Sequence, residues 1–333
     1  MVSTRFDNPG SADQQSPANI FFSAGQTVTL VHLSDPHINC LNTISGQELL
    51  TKRIFGYLRW KLRRGAEHGS AVLATLQEDL AHIKPDHIAV TGDLTHLSLP
   101  AEFLKAKQWL QSLGPPDMVT VIPGNHDAYV KGAWRQGWAQ WTKYMLGDNS
   151  GSAENAARHP DSIFPSLRVR GPIALIGVCT AQPSAPHLAI GTVGTAQLQK
   201  LESVLAHAAK AQLYRVLLIH HPPSAAAVSW RKRLTDGASL RSIIARNGAD
   251  LILHGHAHRA LQNFLKTPGG PVPVMGAPSA SALGRKPERR ARYYIYRITS
   301  GPEGWIVDLT VRVYAPDKNC FITEREQQIS NRP

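Results

Sequence analysis

The sequence predicts an α/β protein of two packed sheets in one domain, and three observations carry that expectation. Strand-like and helix-like stretches alternate from Thr27 to about Leu253, the pattern of βαβ units and a mainly parallel sheet. Five of the apolar, β-branched runs lead into short segments bearing Asp and His. Near the C-terminus the period changes to two, which marks antiparallel strands and makes the sheets mixed.

Taken in order, residues 1–26 are polar and lack the basic start and apolar centre of an export signal. They read as a flexible leader, and the chain as cytoplasmic. Thr27 to Leu33 reads as the first buried strand. His87 to Thr91 and Met118 to Ile122 read as the next two. Between them Phe103, Ala106, Leu110 and Leu113 recur at helical spacing, and Gly114-Pro115-Pro116 stops the helix. Trp134, Trp138 and Trp141 recur at four and three, as core residues of a helix do more often than a substrate platform. Ile163 to Arg170 and Pro172 to Val178 read as a hairpin turned at Gly171. Gly194 to Lys210 places Leu198, Leu201 and Leu205 on one helical face. Arg215 to Ile219 and Asp250 to Leu253 are further strand runs. Arg292 to Thr299 and Trp305 to Tyr314 read as a second hairpin. The domain is expected over 27–315, with a tail at 316–333.

The 333 residues carry a net charge of +12, which favours anionic partners. Phosphate esters, anionic lipid and nucleic acid all qualify on charge alone. No apolar run reaches the roughly 18 residues needed to span a bilayer. Three cysteines, Cys40, Cys179 and Cys320, are widely spaced with no CxxC pair, so no disulfide framework or zinc knuckle is indicated.

The chemistry lies in the segments after the strand runs: Asp35-Pro36-His37, Gly92-Asp93, Gly124-Asn125-His126-Asp127, His220-His221-Pro222-Pro223 and Gly255-His256-Ala257-His258. Ligands of open α/β sheets bind at the carboxyl ends of the strands. Five such ends with carboxylates, imidazoles and an amide would converge as a two-metal hydrolytic site. Such a site needs a carboxylate shared by two cations about 3.5–4 Å apart. Mixed N and O donors suit Mn, Fe, Zn or Ni better than Mg or Ca. Gly92, Gly124 and Gly255 are expected to let the backbone turn sharply there.

The ordered set DxH, GD, GNHD, His and GHxH resembles the calcineurin-like metallophosphoesterase superfamily, over about Val28 to Ala280. That resemblance implies a four-layer α/β/β/α sandwich with a dinuclear metal site at the strand ends. It assigns Asp35, His37 and His258 to one metal, Asp93 to the bridge, and Asn125, His220 and His256 to the other. A hydroxide bridging two cations would attack phosphorus in line. His126 would stabilise charge on the phosphoryl and leaving oxygens, and Asp127 would orient His126. His220 is preferred to its neighbour His221, since His-x-Pro is the common form in the family. His32, His96 and His254 are expected in the core or behind the ligands.

The His220 loop and Gly276-Ala277-Pro278-Ser279 are similar to the bacterial cyclic-nucleotide and glycerophosphodiester branch, which implies a phosphodiesterase. Protein phosphatases of the family read GDxVDRG and GNHE, from which Gly92-Asp93-Leu94-Thr95-His96 and Asp127 depart. Rival readings are a hydrolase of phospholipid or nucleotide-linked lipid pyrophosphate at a membrane face, a DNA nuclease, and a metal-free scaffold. Nucleic acid is disfavoured because no extra binding segment remains, and the scaffold because all seven ligands are present. The substrate is thus expected to be a small phosphodiester or a lipid head group. Lys52 to Arg64 reads as a basic amphipathic helix, open to three readings: a peripheral contact with the inner membrane face, a substrate cap or a solvated surface helix. Arg231-Lys232-Arg233 and the cations from Arg285 to Arg292 are candidates to flank the pocket.

Overall fold

A computed structural model describes residues 25–38, 40, 53–54, 56–58, 68–133, 137–151, 156, 162–284 and 286–329. Two six-stranded mixed sheets face each other. The first runs β12-β11-β10-β1-β2-β3, with β1 (Thr27–Leu33), β2 (His87–Val90) and β3 (Val119–Val121) parallel. On its other side β10 (Arg292–Gly301), β11 (Gly304–Ala315) and β12 (Cys320–Gln328) continue it antiparallel. The second runs β4-β5-β6-β7-β9-β8. Its centre is parallel: β5 (Ile173–Val178), β6 (Tyr214–Ile219), β7 (Leu251–His254) and β9 (Gly270–Gly276). Its edges, β4 (Ser166–Arg170) and β8 (Leu261–Thr267), are antiparallel.

The period of two in the central strands explains the layering. In β6, Tyr214, Val216 and Leu218 join the core between the sheets, while Leu217 and Ile219 join a second core. That second core is closed by Leu198, Leu201 and Leu205 of α3 (Thr195–Lys210) and by Leu240, Ile243 and Ile244 of α4 (Gly237–Asn247). A strand covered on both faces is apolar at most positions, which is why these runs read as nearly continuous hydrophobic stretches; Arg215 in β6 is paired with Asp250. On the first sheet, Val72, Leu76 and Leu80 of α1 (Ser70–Ile83) and Phe103, Ala106 and Leu110 of α2 (Pro100–Leu113) are buried in the main core. Across the sheets, the Tyr294 hydroxyl donates to the Gly276 carbonyl at 3.1 Å. The four-layer α/β/β/α sandwich is therefore as expected.

Both expected hairpins form, as β4–β5 and β10–β11. The C-terminus differs from expectation. Within the expected tail, Cys320–Gln328 form β12, which pairs with β11 from Ala315↔Cys320 to Asp308↔Gln328. Its CFITEREQQ sequence is polar because an edge strand exposes most of its side chains, which hid it from hydrophobic patterning. β8 and β9 were missed for a related reason: β8 is largely exposed, and β9 carries Pro271 and Pro273. The leader to residue 24, and Trp134, lie outside the described residues, as does most of the 52–64 segment. Of that segment, Arg53, Ile54, Gly56, Tyr57 and Leu58 are helical. Trp138 and Trp141 are core residues, as expected, and Trp138 Nε1 donates to the Asp127 carbonyl. Among the described residues, no helix is long and apolar enough to cross a membrane.

Candidate metal centre

The loops leaving β1, β2 and β3 carry Asp35 and His37, Asp93, and Asn125 with His126; those leaving β6 and β7 carry His220, and His256 with His258. The two sheets present these ends to each other. Asp35, His37, Asp93 and His258 each offer a donor atom within 4.8 Å of the others, and so do Asp93, His220 and His256. Asp93 belongs to both groups. Asn125 joins the second, its Oδ1 lying 3.2 Å from His220 Nε2.

The backbone is strained at this place. Asp35, His37, Asp93, His256 and His258 all have positive φ, between 40° and 67°. Non-glycine residues adopt this region seldom, and strain of this kind gathers at functional sites.

Hydrogen bonds to backbone carbonyls fix the imidazole tautomers. Nδ1–H of His37 donates to the Thr95 carbonyl (3.0 Å), Nδ1–H of His220 to Thr91 (2.7 Å) and Nε2–H of His256 to Lys232 (2.9 Å). A carbonyl only accepts, so each ring keeps its other nitrogen as a lone-pair donor, the arrangement typical of metal-binding histidines.

Those lone pairs converge with carboxylate oxygens in a way that calls for a cation. Asp35 Oδ1 is buried without a hydrogen-bond donor, 3.1 Å from His258 Nε2 and 3.9 Å from His37 Nε2. His37 Nε2 and His258 Nε2 are 3.2 Å apart. His220 Nε2 faces Asp93 Oδ2 at 3.4 Å as well as the Asn125 oxygen. Burial alone would lower the His220 pKa, but the Asp93 carboxylate outweighs it and pushes the imidazole up to about 9. His37 and His256 go the other way, held well below the ordinary histidine range by burial and by neighbouring histidines. The donor set fits two transition-metal ions.

His221 is buried beside the centre but spends both nitrogens elsewhere, on Thr180 Oγ1 (2.7 Å) and the Ala189 carbonyl (3.2 Å). Of the adjacent pair, His220 faces the donors. His32 and His254 are buried in the core as expected, bonded to Thr91 Oγ1 and the Gly255 carbonyl. His96 is buried with its ring stacked on His37 at 4.9 Å.

One expectation fails. Asp127 does not orient the His126 ring. Its carboxylate accepts the N–H groups of Leu94, Thr95 and Gly124 and the Thr95 hydroxyl, clipping the Asp93 loop to the Asn125 loop. Burial and then the Asp93 charge raise its pKa to about 7. The His126 ring is set by its Nδ1–H donating to the His96 carbonyl at 2.6 Å. Neighbours in a tight turn point apart, so adjacency in sequence misled.

The glycines also act differently from expectation. Gly92 does need its φ of +93°, but Gly124 and Gly255 are there for space. A Cβ on Gly124 would sit 2.2 Å from Asp93 Oδ1, and one on Gly255 would sit 2.3 Å from Asp35 Oδ2.

The centre opens into a cleft of about 320 Å³. Its lining includes Gly56, Leu97 and Tyr129, with Tyr129 stacked on His126, together with Ser184, His187, Ser229, Arg231 and Lys232. Arg231 and Lys232 thus flank the pocket, whereas Arg292 turns away to pair with Glu324. The sequence reading missed His68, His187 and Tyr129. His68 lies among the donors, within 4.8 Å of those on His37 and His258. Each stands outside the five motif segments, so nothing local marks it.

Three comparisons with known proteins bear on these observations. The family model described as calcineurin-like phosphoesterase matches residues 28–260. A curated protein of Synechococcus sp., named a probable cyclic nucleotide phosphodiesterase, is 26% identical over 213 residues, covering 63% of this chain and 71% of its own. The crystal structure of a dimetal phosphatase from Danio rerio superposes with a TM-score of 0.55 at 12% identity, covering 89% of this chain and 98% of that one. The last likeness is one of fold.

Proposed function

The chain belongs to the calcineurin-like phosphoesterase family, whose members are metal-dependent phosphoric ester hydrolases, and on that premise we propose that it is a phosphodiesterase working at the Asp93-centred site. The observation that carries the proposal is the sharing of Asp93 by two donor groups: Asp35, His37 and His258 on one side, Asn125, His220 and His256 on the other. Two cations there, drawn from Mn, Fe, Zn or Ni, would polarise a water and the substrate's phosphoryl oxygens.

The chain's own groups do the rest. Asp93 Oδ1 accepts the His126 N–H at 2.7 Å, which holds His126 beside the bridging carboxylate. With Nδ1–H donating to the His96 carbonyl, the ring would act through Nε2 as the imidazolium, giving its Nε2 proton to the oxygen that leaves or carries charge. Arg231 and Lys232 supply positive charge across the cleft for an anionic substrate. The similarity to the Synechococcus protein, named a probable cyclic nucleotide phosphodiesterase, favours a diester. The test compares bis(p-nitrophenyl) phosphate with p-nitrophenyl phosphate, with Mn²⁺ added or EDTA present. Faster, EDTA-sensitive cleavage of the diester supports the reading; a clear monoester preference overturns the diester assignment.

A second reading, that the diester is a lipid head group on an anionic bilayer, draws on the cleft rim. Trp230 is 63% exposed, with the Arg231 and Arg233 guanidiniums 5.3 and 5.9 Å from its ring. Ile54 and Leu58 are exposed on the helical stretch containing Gly56, which also lines the cleft. An aromatic side chain amid cations suits an interface of anionic head groups. Vesicles of phosphatidylglycerol should sediment the protein, phosphatidylcholine vesicles should not, and Trp230→Ala should weaken the association. Equal indifference to both vesicles contradicts this reading. Cytoplasmic residence is proposed from the three widely spaced cysteines, which include no CxxC pair.

A further inference from the structure

We propose that His68 is a further ligand of the metal ion assigned to Asp35, His37, Asp93 and His258, making that site richer in nitrogen than its partner. The proposal rests on the metal-centre reading above and adds a residue outside the five motif segments.

His68 is buried just before α1, its backbone fixed by a bridge to Ala282. Its ring centroid lies 4.9 Å from that of His37 and 6.1 Å from that of His258. One donor atom from each of these three rings falls within 4.8 Å of the other two. The ring is held from behind. Its Nδ1 is 2.8 Å from Ser281 Oγ, which is 3.2 Å from Ser279 Oγ, and Ser279 Oγ–H donates to the Asp35 carbonyl at 2.6 Å. That chain ends on an obligate acceptor. Running it from the ring outward makes Nδ1–H the donor and leaves Nε2 with its lone pair. It is the same device that prepares His37 and His220, except that serine hydroxyls replace a backbone carbonyl and connect the ring to the backbone of Asp35. A third imidazole beside two carboxylates shifts the preference of the site toward Fe, Co or Zn rather than Mn.

The test is a titration of the metal-free full chain with Co²⁺, read by calorimetry and by visible absorption. The parent should take up two ions. His68→Ala should weaken one site about 10–100-fold, leave the other unchanged and alter the absorption of the weakened site. Ser281→Ala, which keeps the imidazole but removes its anchor, should fall between the two. Imidazole added to His68→Gly should restore the parent spectrum, which a merely structural histidine would not do. A His68→Ala chain that binds two ions with parental affinity and spectrum overturns the proposal while the metal-centre reading stands. A parent that binds no Co²⁺ overturns both. If His68→Ala fails to fold, Ser281→Ala decides, and unchanged affinity and spectrum there count against the proposal.

Discussion

Asp93 Oδ1 accepts the backbone N–H of His126 at 2.7 Å, so the carboxylate shared by the two donor groups also anchors the backbone of the residue proposed to act in catalysis. Binding and turnover should nevertheless separate. His126→Ala removes the ring but leaves the backbone N–H and every metal donor. It should retain two ions per chain and lose about 10²–10⁴-fold in turnover. Metal analysis beside steady-state kinetics checks this, and parental turnover would refute the role given to His126.

Asp127 should matter through structure. Asp127→Ala strands the buried N–H groups of Leu94, Thr95 and Gly124. Each lost partner costs about 1–3 kcal/mol. Thermal unfolding should move down sharply, and activity measured well below the new Tm should survive better than in His126→Ala. Unchanged stability would contradict the clip.

Space at the two glycines should be as binding as the ligands themselves. Gly124→Ala drives a methyl onto the Asp93 carboxylate, and Gly255→Ala drives one onto Ser34 and Asp35. Both should lower metal affinity by more than about 10-fold, in the range of changes just behind the ligands. Gly132→Ala, where a Cβ meets no atom within 4 Å, is the control. It carries only the strain of its positive φ, so its metal binding should match the parent in the same titration.

Glu102 supplies a pH dependence away from the metal. Burial raises its pKa from the ordinary 4.5 to about 7, opposed by N–H bonds from Leu99, His96 and Leu97. A carboxyl whose pKa is raised by folding binds its proton more tightly folded than unfolded. Its stabilising share is complete below about pH 4.5 and is lost as pH rises through about 7. Denaturant midpoints of the metal-free chain should therefore decline from about pH 5 to 8, and Glu102→Gln should flatten that decline. A slope unchanged by the substitution would exclude Glu102 as its source.

The convergence of the proposed ligands was legible because each sits within a few residues of an apolar strand run, and parallel strands deliver their ends to one place. Layering was legible for the same reason, in runs such as Tyr214–Ile219 that have no polar face. His68 was not, since it reaches the centre from a loop whose company is set by Ser279 and Ser281, over 200 residues away. Asp127 was misread because its neighbour is a site residue. β12 was missed because an edge strand hides little apolar surface.

The central claim is that Asp93 joins two metal sites, and metal content of Asp93→Ala beside the parent tests it most directly. The account predicts two transition-metal ions per parent chain, loss of both in the variant and loss of nearly all EDTA-sensitive hydrolysis. A variant that keeps two ions and hydrolyses as the parent does would contradict it.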